Sequence, residues 1–149
     1  GLEVPGGPGA CTFGGGWLVN RMNRTQAAVW RLSEHAQGPA PDPAAETAYT
    51  ETTEAQALLA LVGKNLPAVM ETLSAMDIFA PDVQAPRLFQ GSVLHIPCQV
   101  VRLAPQDGTE TVLIGFSRGY GQRMAESILS CGGPYGLRPA GEKKFEPPH

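Results

Sequence analysis

Cys11, His95 and Asp107 supply the three residue types from which a nucleophilic site is built, and they occur in that order along the chain. In such a site a thiolate attacks a carbonyl carbon, an imidazole accepts and returns the proton, and a carboxylate orients the imidazole. The thiolate needs a neighbouring positive charge or a helix N-terminus, because either lowers the pKa of the thiol. These three residues are therefore the first candidates for catalysis.

At these three positions the chain resembles the papain-like and amidase-type cysteine hydrolases, which place nucleophile, histidine and orienting group in this order. The resemblance implies a Cys11 thiolate at the start of a helix and His95 on a strand. No extended motif accompanies the three positions. The glycines at 14–16 are poor helix formers, so the pattern departs from that class where the thiol needs its helix. The alternative is a cysteine in a tail and a strand histidine that faces solvent.

A second candidate nucleophile is Ser117, because residues 115–119 read Gly-Phe-Ser-Arg-Gly and follow an apolar stretch. This G-x-S-x-G pattern resembles the nucleophile elbow of α/β-hydrolases, in which a turn exposes the hydroxyl and a helix N-terminus favours an oxyanion. That family places an acid and then a histidine downstream, whereas the histidine that follows Ser117 is the terminal His149. The alternative is a glycine-rich turn from strand to helix with no reaction.

The same turn carries a candidate ligand-binding set: Ser117, Arg118, Gly119 and Arg123. Free N–H groups at a helix start and two guanidinium groups together can hold a phosphate or a carboxylate. The alternative is that both arginines only solvate the turn. No Walker-type spacing or carboxylate pair accompanies the set, and the cysteines form no C-x-x-C knuckle, so we expect no metal and no cofactor.

Helices are predicted in the N-terminal half of the chain. Capping boxes begin two of them, one at Asn23 with Gln26 and one at Thr53 with Gln56. A third helix follows Gly63, where Asn65 suits its N-terminus and Pro67 its first turn. The predicted helices cover residues 23–36, 53–63 and 66–76. The last two resemble a DNA-reading helix pair followed by a β wing, but residues 66–76 contain Glu71 and no Arg or Lys, which argues against binding beside phosphates.

Strands are predicted after Ser92. Residues 94–101 alternate between apolar and other side chains, and Pro97 predicts an edge strand or a bulge because proline donates no ladder hydrogen bond. Turn residues at 105–108 and an apolar run at 111–114 complete a hairpin, and a helix over 120–130 follows. The predicted fold is therefore α+β, with three helices, then a β-hairpin and a closing helix.

Two stretches rich in glycine and proline frame this predicted domain. Residues 1–16 contain seven Gly, two Pro and one charge, and residues 132–149 contain four Gly and four Pro. We predict extended tails at both ends, a single domain over 17–131, and an internal linker over 38–50. The near-absence of charge in the first tail favours a segment that lies on another protein.

The overall charge excludes some classes of function. The net charge is −3, and the eleven Lys and Arg residues are scattered, so we expect neither nucleic-acid binding nor a polybasic membrane patch. The longest purely apolar run, at 58–62, is too short for a transmembrane segment. Cys98 and Cys131 lie on predicted inward faces, where they could form a disulfide or remain buried thiols. No feature indicates a compartment.

No catalytic set is complete in the sequence. We therefore expect a non-catalytic protein–protein interaction domain, or an accessory subunit of a larger assembly whose tails pack on other protein subunits. The alternatives are a small cysteine hydrolase that uses Cys11 and His95, and an anion-binding or phosphate-binding domain with its site over residues 117–123.

Overall fold

Seven strands dominate the part of the chain that the structure, a computed structural model, describes: residues 3–36, 48, 50–141 and 145. The chain divides into two compact units, one containing the described residues up to Thr52 and the other running from Thr53 to Phe145. The domain predicted over 17–131 crosses this boundary. Most of the linker predicted over 38–50 lies outside the described residues.

The first unit contains a three-stranded antiparallel sheet made of β1 (Cys11–Gly14), β2 (Trp17–Arg21) and β3 (Ala27–Arg31). Gly15 and Gly16 join β1 to β2 with φ angles of 56° and 86°, the left-handed conformation that a two-residue hairpin turn requires. Gly14, Gly15 and Gly16, which were part of the extended tail predicted over 1–16, therefore form the end of β1 and a turn. That part of the prediction is wrong.

The helix predicted over 23–36 is wrong as well, because Asn23 and Gln26 cap a turn between β2 and β3. Asn23 Oδ1 accepts hydrogen bonds from the backbone N–H groups of Thr25 and Gln26, both at 2.9 Å. Asn23 Nδ2 donates to Gln26 Oε1 at 2.7 Å. The polar side chains that begin a helix can equally close a hairpin, since both leave backbone N–H groups to satisfy.

The second unit is built on a four-stranded antiparallel sheet with the spatial order β4-β7-β6-β5. These strands are β4 (Gln56–Gly63), β5 (Arg87–Val93), β6 (Ile96–Arg102) and β7 (Glu110–Ser117). Two helices, α1 (Leu66–Leu73) and α2 (Gly121–Gly132), belong to the same unit. Strands β4 and β5 are the two edges of this sheet.

Residues 53–63, predicted as a helix, form a short 3-10 turn at Thr53–Ala55 and then β4. The apolar run at 58–62 has no clear period, and such a short run fits a strand as well as a helix. In β4 its residues alternate: Ala57, Leu59 and Leu61 pack on or in the core, whereas Leu58, Ala60 and Val62 are exposed.

The strand predicted from Ser92 is two strands joined by a tight turn. Val93 pairs with Ile96, and Leu94 and His95 between them have φ angles of 51° and 66°. A two-residue turn makes Val93 and Ile96 a hydrogen-bonded pair, so the next pair, Ser92 with Pro97, is not hydrogen-bonded. Pro97 also precedes the residues of β6 that pair with β7, and its missing N–H interrupts no ladder.

Both helices pack on one face of the four-stranded sheet. Asn65 precedes α1 and Pro67 lies in its first turn, as the sequence predicted, although the helix ends at Leu73. The buried core on this face is Leu61, Leu66, Val69, Met70, Leu73, Ile78, Val93, Ile96, Cys98, Val100, Val112, Ile114, Phe116, Met124 and Ile128.

Residues 132–137, predicted as tail, end α2 and continue into a turn in which the Leu137 N–H donates to the Gly132 carbonyl at 3.1 Å.

Three N-terminal helices followed by one hairpin are therefore not the fold of this chain. The described residues form seven strands in two antiparallel sheets and two α-helices, one of which closes the C-terminal half. Neither of these described helices has the length and apolar character that crossing a membrane requires.

Candidate functional site

Cys11 lies at the start of β1 and not at the start of a helix. Its Sγ lies 3.8 Å from the carbonyl oxygen of Gly9, and its Cα is directly opposite that of Asn20 in β2. The helix N-terminus that the cysteine-hydrolase interpretation requires is therefore not present at this thiol. Cys11 belongs to the first unit and His95 to the second.

His95 and Asp107 are both exposed residues of hairpin turns, with φ angles of 66° and 50°. His95 lies in the turn that enters β6, and Asp107 lies in the turn that follows β6. The seven residues of β6 separate the two turns by roughly 20 Å at about 3.3 Å per residue. The structure therefore does not bring this imidazole and this carboxylate together.

Ser117 ends β7, and its hydroxyl is exposed. Its backbone angles, φ −61° and ψ 130°, are those of ordinary extended chain and not of a strained elbow. The strand before it belongs to an antiparallel sheet, whereas the elbow of an α/β-hydrolase follows a strand of a parallel one. The turn therefore exposes a serine without the backbone geometry that activates it.

Arg118 pairs with Glu54, with 3.0 Å between Arg118 Nη1 and Glu54 Oε2, and both side chains are largely exposed. Its guanidinium therefore already faces a carboxylate within the same unit. Gly119 and Arg123 are exposed, and among the described residues Arg123 has no ion-pair partner. Of the two guanidinium groups in the predicted anion site, that of Arg118 is already paired, and that of Arg123 is the one that could bind a ligand.

Cys98 is buried on the helix-covered face, and Cys131 is half-buried in α2; both are thiols. Burial raises the pKa of the Cys98 thiol, partly opposed by a backbone hydrogen bond at Val93. The raised pKa keeps the Cys98 thiol neutral at neutral pH. The folded protein holds this proton more tightly than the unfolded chain does, so the contribution of the thiol to the free energy of unfolding is complete at neutral pH and is lost as the pH rises through the folded-state pKa. Within the described residues, no three His, Cys, Asp or Glu side chains are grouped closely enough to hold a metal ion.

Strand β2 of the first unit carries buried polar atoms without partners. Asn20 is fully buried, and neither its Nδ2 nor its Oδ1 has a hydrogen-bond partner in the described part of the chain. The same holds for Trp17 Nε1 and Arg21 Nε. Such groups weaken the sheet that contains them, because a buried polar group without a partner costs about 1–3 kcal/mol. They provide no nucleophile or acid.

The most unusual surface feature of the second unit is the outer side of β4, which we call the β4 edge. Its eight residues contain no charge and no proline, and they pair with β7 without a bulge from Gln56 to Gly63. Leu58 and Val62 are 39% and 52% exposed, and Ala60 between them is exposed too. Within the described residues, β7 is the strand that pairs with it.

The opposite edge strand, β5, is bound by its own chain near its end. Ser74 Oγ donates to the carbonyl oxygen of Ser92 at 2.7 Å, and the Leu94 N–H donates to the carbonyl oxygen of Leu73 at 2.8 Å. Met76 packs over Gly91 on the helix-covered face, where a Cβ atom would lie 2.5 Å from the methionine sulfur. Natural sheets protect their edges with hydrogen bonds of this kind, and β4 has none of them in the described part of the chain.

A small open cleft of about 140 Å³ adjoins the C-terminal end of the β4 edge. It is lined by the end of β4, the first turn of α1 and the turn after α2, and Asn65 Nδ2 holds that last turn by donating to the Tyr135 carbonyl at 3.3 Å. Lys64 and Tyr135, which is 40% exposed, flank the opening. The apolar strand edge therefore continues into a concave surface.

The chain matches no protein-family model, and searches of curated proteins and of solved structures find no match to it.

The sequence pattern placed Leu58 and Val62 in the helix predicted over 53–63, and so the β4 edge was missed. Their spacing of four residues fits a helical face as well as one face of a strand. The signal that was available is the absence of any charged residue from Gln56 to Gly63, which is unusual for an exposed helix.

Proposed function

We propose that this protein is a non-catalytic protein–protein interaction domain, or an accessory subunit of an assembly, that docks its partner along the β4 edge. The observation that carries the proposal is an uncharged eight-residue edge strand with two exposed large apolar side chains. Residues 11–14 of the predicted N-terminal tail pair within their own sheet, so the proposed docking surface is the strand and not the tails.

An open edge binds an extended chain by adding a strand to the sheet. The N–H and C=O groups of β4 that point away from β7 have no backbone partner in the described part of the chain, and they offer main-chain hydrogen bonds to such a segment, which gives affinity. Alternate side chains add specificity, and on this edge Leu58 and Val62 select apolar neighbours on one face. Burial of apolar area at about 25 cal/mol per Å² drives the association.

The catalytic and anion-binding alternatives have weaker geometric support. His95 and Asp107 lie at opposite ends of β6, and Arg118 faces Glu54. Arg123 and Ser117 remain the residues on which an anion site could be built. Stabilisation by inorganic phosphate that is lost in Arg123→Ala would favour that function over docking.

A pair of matched variants tests the proposal. Leu58 and Leu129 have similar exposures, 39% and 37%, but Leu58 is on β4 and Leu129 is on α2. Tagged wild-type protein, Leu58→Lys and Leu129→Lys are each purified from the native host under mild conditions. Thermal melts of all three verify that each variant is folded.

We expect a stoichiometric protein to accompany the wild-type chain and Leu129→Lys and to be absent from Leu58→Lys. A lysine at position 58 places a charge in the strand interface, which removes the apolar contact and disfavours pairing. Equal retention by both variants, or purification of the wild-type chain alone, would contradict the proposal.

A further inference from the structure

We infer that the partner of the β4 edge is a second copy of this chain, joined antiparallel about a two-fold axis at Ala60. The inference rests on the proposed function, because it names the occupant of the same edge. Two four-stranded sheets would then become one continuous eight-stranded sheet, with β4 of each copy at its centre.

The pattern of exposed side chains favours this register. A two-fold axis at Ala60 places Leu58 of one copy opposite Val62 of the other, and the reverse, while the two Ala60 residues face each other. Both large apolar side chains exposed on β4 thereby gain an apolar cross-strand neighbour. An axis at Leu59 would instead place Val62 opposite Gln56, which leaves Val62 beside a polar side chain.

The charges next to the strand favour antiparallel pairing. Glu54 precedes β4 and is exposed, and Lys64 follows it and is exposed. Antiparallel pairing in the Ala60 register brings Lys64 of each copy opposite Gln56 of the other, two residues from Glu54. In this register Lys64 of each copy lies near the Glu54–Arg118 pair of the other and no charge lies between, whereas in-register parallel pairing would bring the two Lys64 ammonium groups together.

The expected complex is weak. Interfaces that bury less than about 1,200 Å² are typical of transient complexes, and one eight-residue strand pair is of this small class. We therefore expect a dissociation constant of roughly 10–100 µM and a sedimentation coefficient that rises with protein concentration.

Cysteine cross-linking tests the register directly. Residues opposite each other in an antiparallel pair have Cα atoms about 4.5–5.5 Å apart, which is within the range that a disulfide spans. Ala60→Cys should therefore form a disulfide with itself under mild oxidation with glutathione disulfide. Two copies of Leu58→Cys place their thiols roughly 13 Å apart, so this control should not cross-link with itself.

We expect the dimer fraction of Ala60→Cys on non-reducing gels to exceed that of Leu58→Cys and of the wild-type chain at least about fivefold, since the native thiols give the baseline. A mixture of Leu58→Cys and Val62→Cys should cross-link although neither does so alone. Sedimentation of the wild-type chain up to several hundred micromolar should show dimers that Leu58→Lys abolishes.

The outcomes separate the two proposals. If Ala60→Cys does not exceed the controls, the second-copy inference is overturned; if the purification then shows a different protein that Leu58→Lys loses, docking at the β4 edge still stands. If neither cross-linking nor a Leu58-dependent partner is found, both proposals fail.

Discussion

The two edge strands of the four-stranded sheet meet the solvent in different ways. At the end of β5, the Ser74 hydroxyl bonds the Ser92 carbonyl and the Leu94 N–H bonds the Leu73 carbonyl, while Met76 packs over Gly91 on the helix-covered face. At β4, eight uncharged residues form a regular strand whose Leu58 and Val62 are exposed. An edge strand can pair with another chain, and among the described residues β4 lacks the hydrogen bonds that bind the end of β5, which is why the docking proposal concerns β4.

The two edge strands should also differ in how much their side chains contribute to the stability of the second unit. Side chains at the β5 edge are tied to the core by the segment that follows α1, so changes there disturb packing. Leu58 and Val62 on β4 are much more exposed than Leu88 on β5, so changes at those two positions should alter association more than folding. Matched substitutions on the two strands measure this difference.

The largest expected difference is between Leu88→Lys on β5 and Leu58→Lys on β4. Leu88 is 4% exposed and Leu58 is 39% exposed, although register places both on the face away from the helices. Burying an ammonium group at position 88 should lower the free energy of unfolding by more than about 3 kcal/mol, whereas the change at 58 should stay within about 0.5 kcal/mol. Urea unfolding of the two variants measures both values, and similar losses would refute the difference between the edges.

Valine substitutions should give a smaller difference in the same direction. A side chain at Gly91 would overlap Met76, and overpacking of this kind costs about 1–3 kcal/mol. The control, Ala60→Val, adds a β-branched residue to an exposed strand position and should be neutral or slightly stabilising. The midpoints of chemical unfolding decide the result; a neutral Gly91→Val would show that Met76 moves aside at no cost and that packing on this strand is not tighter than on β4.

Loss of one hydroxyl at the closed edge should cost about 1 kcal/mol. Ser74→Ala removes the donor to the Ser92 carbonyl and also the acceptor for the Met76 N–H at 3.2 Å. Ser92→Ala is the control, because the backbone carbonyl of Ser92, and not its side chain, accepts the bond. We expect amide exchange in β5 to accelerate in Ser74→Ala and not in Ser92→Ala; equal acceleration would assign the effect to the strand and not to the hydroxyl.

The smallest expected effect is a gain in stability at the turn that joins β5 to β6. His95 is exposed at φ 66°, a conformation that costs a residue with a side chain about 1 kcal/mol. Glycine removes this strain but adds about 0.5 kcal/mol of backbone entropy, so His95→Gly should raise the melting temperature by a few degrees. A lower melting temperature would mean that the imidazole makes contacts that hold the turn.

Local signals predicted the parts of the fold that depend on neighbouring residues. Asn65 and Pro67 began α1, and the Asp107-Gly108 turn joined β6 to β7 as turn chemistry requires. Helix α2 also followed from the spacing of Met124 and Ile128. Each of these features is set by contacts within a few residues.

The elements of the fold that were predicted wrongly depend on residues that are distant in the sequence. Asn23 and Gln26 satisfy N–H groups in a turn as readily as at a helix start, and the run at 58–62 becomes a strand because β7 pairs with it. The open edge follows from the strand order, which no local pattern contains. The candidate site therefore required the sheet topology.

Hydrogen exchange of the β4 amides at two protein concentrations tests the central claim most directly. Alternate amides of β4 face away from β7, and in dilute protein they should exchange quickly. At several hundred micromolar the same β4 amides should become protected, with β5 unchanged. Protection of β4 that does not depend on concentration or on an added partner would contradict the account.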